Sequence, residues 1–138
     1  MVGIDKVVAL DVGEKRIGVA FGDSQTKIAV PEVTLENNSN FIVKFGELIK
    51  RKQPVAIVVG MPRSLKGQET KQSEYVREFA KLLNVFNLPI VFQDESLTSV
   101  EAKSLLNLQR SKNYNKEQID SEAAALILTD YLERKYAQ

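Results

Sequence analysis

The sequence of 138 residues contains neither cysteine nor histidine. Without cysteine there is no disulfide, no thiol nucleophile and no thiolate metal site. Without histidine there is no Ser-His-Asp triad, no imidazole acid–base group and none of the commonest zinc ligands. Any catalysis must fall to carboxylates, hydroxyls, lysine, arginine or tyrosine. The natural inorganic partner of that set is a hard cation held by oxygen, such as Mg²⁺ or Mn²⁺. No apolar run approaches the roughly 20 residues of a membrane-spanning helix. Near the N-terminus, acidic Asp5 precedes a short strand-like run instead of the basic-then-apolar pattern of a signal peptide. The expectation is a cytoplasmic protein with no membrane partner.

A strong charge of one sign is also missing: the net charge is +1. Bulk charge therefore does not announce a nucleic-acid partner. Basic residues do cluster locally, at Lys15 and Arg16, at Lys50, Arg51 and Lys52, at Arg63 and Lys66, and at Arg110, Lys112 and Lys116. Each cluster alone reads as solvated surface. Together, in loops near a carboxylate site, they can track a phosphate backbone.

What is present is an ordinary globular composition, 43% hydrophobic and 27% charged, long enough for one domain over 1–138 with a real core. Strands are expected over about Lys6 to Asp11, Arg16 to Asp23, and Ile28 toward Leu35, the first two joined as a hairpin through Gly13-Glu14-Lys15. The Asn37–Asn40 cluster precedes a helix that ends near Lys52, ahead of Pro54. Val55–Val59 is a continuous apolar run and reads as a buried parallel strand. A helix over about Thr70 to Leu83 and a strand over Pro89–Phe92 follow. Thr98-Ser99-Val100-Glu101 has capping-box form and opens a helix to about Leu108; Thr98 is better read as its cap than as a catalyst. A last helix covers about Lys116 to Tyr136. The order β-β-β-α-β-α-β-α-α predicts an α/β fold, a mixed five-stranded sheet with helices on both faces.

Three acidic positions stand out on that plan. Asp11 ends an almost wholly apolar strand, where an unpaired carboxylate is costly and calls for a partner or a cation. Asp94 and Glu95 end the last strand. Asp120 shares a helix face with Ala123, Ala124, Ile127 and Tyr131, the apolar stripe expected to pack on the sheet. One reading of Asp120 is an ion pair with a lysine or arginine, or a helix-start acid favoured by the dipole. The other is a metal ligand facing the strand ends. Three convergent carboxylates can hold two divalent cations roughly 3.5–4 Å apart and support phosphodiester hydrolysis without histidine or cysteine.

The chain resembles, end to end, the YqgF family, also called the RuvX family. Asp11-Val12-Gly13-Glu14-Lys15-Arg16-Ile17-Gly18-Val19-Ala20 is similar to its N-terminal signature, and Gly60-Met61-Pro62 with Gly67 to its Gly-Leu-Pro loop. Asp94-Glu95-Ser96-Leu97-Thr98-Ser99 resembles its Asp-Glu-Arg segment. Ile119-Asp120, Ala123-Ala124, Ile127-Leu128 and Tyr131-Leu132 resemble its C-terminal signature. Each motif alone is weak; four in order at compatible spacing are strong. The resemblance implies an RNase H-like fold and a divalent-metal nuclease site, with two Mg²⁺ or Mn²⁺ ions, built from Asp11, Glu95 and Asp120. It implies a structured nucleic-acid substrate: precursor 16S ribosomal RNA, cut at its 5′ end, or a branched DNA junction. Lys15, Arg16 and Arg63 are the candidate phosphate contacts, and Asp94 at best supports the ligands from behind.

One residue departs from the family pattern: Ser96 stands where the family usually has arginine. Serine cannot clamp a phosphate bidentately, so Ser96 and the near-neutral charge favour a second reading, a regulatory binding module with a vestigial site. A third, an actin-like phosphotransferase, would use the Asp-x-Gly after the first strand, but such enzymes need two related lobes and this chain has no internal repeat. A junction resolvase cutting twice is expected to be a homodimer, whereas an RNA-trimming nuclease can be a monomer.

Overall fold

The computed structural model describes residues 3–62, 70–94 and 116–136. The elements run β1 (Lys6–Val12), β2 (Arg16–Asp23), β3 (Ala29–Glu36), α1 (Phe41–Lys52), β4 (Ala56–Met61), α2 (Lys71–Lys81), a short 3₁₀ segment (Leu82–Phe86), β5 (Ile90–Asp94) and α3 (Lys116–Lys135). The expected helix from Thr98 lies outside the described residues, as do Arg63, Glu95 and Ser96. The other expected elements are found within a few residues of their predicted bounds.

The five strands form one mixed sheet in the order β3-β2-β1-β4-β5. β1 pairs antiparallel with β2 through the 13–15 hairpin, and β2 antiparallel with β3. β4 and β5 join parallel on the other side of β1. The carboxyl ends of β1, β4 and β5 therefore share one edge of the sheet. In open α/β sheets this is where ligands bind, in the crevice beyond the strand ends.

The two faces of the sheet differ in side-chain size. Even positions of β1 (Val8, Leu10, Val12) and odd positions of β2 (Ile17, Val19) are buried against Phe41, Phe45 and Leu48 of α1 and Val76 and Phe79 of α2. Phe41 stacks on Phe45 at 5.3 Å between ring centroids, and Phe86 meets Phe45 edge-on at 5.4 Å, which adds directional packing to burial. The opposite face presents Val7, Ala9, Ala20 and Val58, and α3 lies across it with Ala124, Ile127, Leu128, Tyr131 and Leu132. Small residues on that face let α3 sit close to the strands. At Gly22, an added Cβ would meet Ile28 O at 2.8 Å and Leu132 Cδ1 at 2.9 Å.

Two local departures from expectation have plain causes. α2 begins at Lys71 because Thr70 caps it: Ser73 N–H donates to Thr70 Oγ1 at 3.1 Å, and Thr70 N–H donates to Ser73 Oγ at 2.7 Å. This is a reciprocal capping box in which serine takes the place usually filled by Glu or Gln. At its other end α2 tightens into the 3₁₀ segment and stops at Asn87, whose φ of 53° is left-handed. The apolar spacing of Leu82, Leu83 and Phe86 runs on through that change, so periodicity alone does not reveal it.

The far end of α3 is tied to the start of β1. The Tyr136 hydroxyl donates to Asp5 Oδ2 at 3.0 Å. Burial, then the adjacent Asp5 carboxylate, push the Tyr136 phenol up to about 12 from an ordinary 10.0. The native state thus holds this proton more tightly than the unfolded chain does. The resulting stabilisation is fully present below pH ~10 and disappears as pH rises through ~12. Tyr136→Phe is expected to cost about 1 kcal/mol at neutral pH. In denaturant titrations, the gap between wild type and variant should stay constant up to pH ~10 and close by pH ~12. A gap independent of pH over that window would contradict the assignment.

Candidate functional site

Asp11 lies at the carboxyl end of β1 on the face covered by α3, two residues on from Ala9 and four from Val7. Its cross-strand partner in β2 is Gly18. At Gly18 the backbone of α3 itself reaches the sheet. A Cβ there would collide with the backbone carbonyl of Asp120 and would meet Ser121 N at 2.9 Å. The missing side chain of one glycine thus lets the first turns of α3 lie over the strand residue paired with Asp11. The helix face expected to carry Asp120 is confirmed: Ala123, Ala124, Ile127 and Tyr131 are buried, and the Asp120 side chain is 18% exposed.

Asp120 is engaged by a basic residue from the same face. Arg16 opens β2 two positions before Gly18, and its Nε donates to Asp120 Oδ2 at 2.7 Å. Both side chains are partly buried, so solvent screens this charge-assisted bond less than a surface pair. Lys15, next to it, is exposed on the hairpin.

The hairpin itself is braced. Asn37 donates from its backbone to Lys15 O at 2.9 Å, and from Nδ2 to Gly13 O at 2.8 Å and Tyr75 Oη at 2.7 Å. The connection that carries Lys15 and Arg16 is thereby fixed to β3 and α2. Asn37 reads in the sequence only as part of an Asn-rich loop, because its partners come from distant elements.

On β5, Val91 packs with the α3-side cluster and Ile90 with the opposite one. By alternation Gln93 belongs to Asp11's face, and its strand partner is Gly60. Gln93 is 7% exposed and donates from Nε2 to Asp94 O at 3.3 Å. Asp94, paired in register with Met61, belongs to the other face and is not brought to Asp11's side. Glu95 and Arg63 lie outside the described residues. Among the described residues no three potential ligands form a metal-holding cluster. The described part of the candidate set is Asp11 and Asp120, a purely oxygen donor pair that suits a hard cation.

The model of the family described as "RuvX: Holliday junction resolvase" matches residues 5–134. The chain belongs to the RuvX family. Its relatives include proteins named "Putative pre-16S rRNA nuclease" from Sulfurihydrogenibium sp. (strain YO3AOP1), 39% identical over 95% of this chain and 92% of the relative, and from Paraburkholderia xenovorans (strain LB400), 41% identical over 92% and 87%. Among solved structures, this RuvX-family chain is similar to T. thermophilus RuvC in complex with Holliday junction substrate, with a TM-score of 0.56 at 15% identity over 96% of both chains. It is also similar to the yeast mitochondrial Holliday junction resolvase, with a TM-score of 0.54 at 13% identity over 93% of this chain and 78% of that one. The fold is the RNase H-like α/β fold of these resolvases.

Proposed function

We propose that this RuvX-family chain is a divalent-metal-dependent endonuclease acting on structured nucleic acid, and that precursor 16S ribosomal RNA, processed at its 5′ end, is the substrate. The observation that carries the reading is the placement of Asp120 over Gly18, the cross-strand partner of Asp11. It sets the carboxylate-bearing turn of α3 over the strand position opposite Asp11, at the edge where the strands end. The relatives' names support an RNA substrate.

In this reading Asp11 and Asp120 hold the cation from the sheet edge and the helix. Glu95, the residue after β5, is the third ligand. A bound Mg²⁺ or Mn²⁺ pair supplies an activated water and stabilises the leaving oxygen at neutral pH. The chain's own part is to fix the donors. α3 orients Asp120 and β1 orients Asp11. Lys15 is the exposed phosphate contact, while Arg16 and Arg63 add positive charge along the backbone path. The reading places the protein in the cytoplasm, where ribosomal RNA is processed. Among the described residues no helix is long and apolar enough to cross a membrane.

The second substrate reading, a four-way DNA junction, is favoured by fold neighbours seen with Holliday junction substrate. Cleavage of a precursor 16S fragment and of a synthetic four-way junction, each with Mg²⁺, Mn²⁺ or EDTA, separates the two. The expected result is metal-dependent cutting of the RNA and little of the junction. Preferential cutting of the junction would reverse the substrate assignment. No cutting of either under any condition would overturn the nuclease reading.

A further inference from the structure

The Arg16–Asp120 bond puts a fixed cation on a carboxylate that the proposed function assigns to a metal. Both groups are positioned by backbone: Arg16 by its place at the start of β2, with its carbonyl held by Gly13 N–H at 2.9 Å, and Asp120 by the contact of α3 with Gly18. Their meeting at 2.7 Å is therefore built into the fold, unlike a chance encounter of two flexible side chains.

We propose that Arg16 is the resident counter-cation of Asp120 and competes with the divalent ion for it, which lowers the intrinsic metal affinity of the site. This rests on the reading of Asp120 as a metal ligand. A divalent ion arriving at Asp120 must displace the guanidinium from Oδ2 or accept a unit positive charge within a few ångströms. Either costs free energy that a neutral side chain at position 16 would not impose. The same guanidinium, once moved from Asp120, lies on the face where a phosphate backbone would pass. Position 16 thus acts on metal occupancy as well as on phosphate binding.

The test is calorimetric or spectroscopic titration of the full-length protein with Mn²⁺ alone, in the absence of nucleic acid. Arg16→Gln is expected to bind Mn²⁺ about three- to tenfold more tightly than wild type. Arg16→Lys, which keeps the charge but loses the planar Nε donor, should fall between them. Adding Asp120→Asn to Arg16→Gln should abolish the gain. Equal or weaker binding by a folded Arg16→Gln protein overturns this inference while leaving the metal reading intact. If Arg16→Gln does not fold, the neutral Arg16→Met decides: affinity no higher than wild type in that variant overturns the inference. No Mn²⁺ binding by wild type or either variant overturns the metal reading and this inference with it.

Discussion

Asp11→Asn and Asp120→Asn are each expected to lower the cleavage rate by about 10³-fold or more while leaving the protein folded. Asparagine matches aspartate in size but carries no charge and offers one carbonyl oxygen, so a divalent ion loses most of its electrostatic anchor. Asp120→Asn should also change stability. Asp120→Asn removes a charge-assisted bond from Arg16 and leaves the guanidinium partly buried without its ionised acceptor. That substitution is thus expected to lower stability by about 1–2 kcal/mol, at the low end for bonds to charged groups because both side chains are partly exposed. Rates and denaturant midpoints measured on the same preparations separate the effects. Equal cleavage by wild type and both variants would place the chemistry elsewhere.

Gly18→Ala has the second large expected effect, and it tests the geometry without touching a titratable group. The added methyl would overlap the Asp120 carbonyl and approach Ser121 N at 2.9 Å, and no rotamer change can relieve a clash with backbone. α3 must lift from the sheet, separating Ala124, Ile127 and Leu128 from Val7, Ala9 and Val58. A cost of about 3 kcal/mol is expected, at the upper end for overpacking. Since displacement of about 1 Å can cost 10²-fold in rate, activity should fall even where the variant remains folded. Gly60 supplies the comparison. An added Cβ there also meets α3, but at the side chain of Ile127, which can turn aside. Gly60→Ala should therefore be milder in both thermal unfolding and cleavage. Comparable losses at the two glycines would mean that α3 does not rest on Gly18 as described.

Much of this arrangement is legible in the sequence because local signals agree with the fold. The run Val7–Leu10, the short Gly13–Lys15 connection and the run Val55–Val59 specify a hairpin beside parallel strands, and the sheet contains both. Asp120 is legible as an anomaly, a charge on an apolar helical stripe, and its helix face is the buried one. The less visible features depend on distant partners. Arg16 and Asp120 are both conspicuous in the sequence, yet nothing local joins a residue opening β2 to one in the last helix. Gly18 reads as an ordinary small residue in a strand until the helix above it is known. The size difference between the two sheet faces is written in the sequence, in the alternation of Val7 and Ala9 with Val8 and Leu10. It marks the side on which α3 lies close. Asn37 joins the hairpin to α2 through bonds to Gly13, Lys15 and Tyr75 and has no local signature at all.

The central claim is that Asp11 and Asp120 together hold a divalent cation at the carboxyl edge of β1. A crystal of the protein soaked in Mn²⁺ and measured at a wavelength where manganese scatters anomalously addresses it directly. The account predicts an anomalous peak ligated by carboxylate oxygens of both Asp11 and Asp120, with Arg16 moved off Asp120 Oδ2. Bound Mn²⁺ located away from these two residues, or a fully Mn²⁺-equilibrated crystal with no peak between them and Arg16 still paired with Asp120, would contradict it.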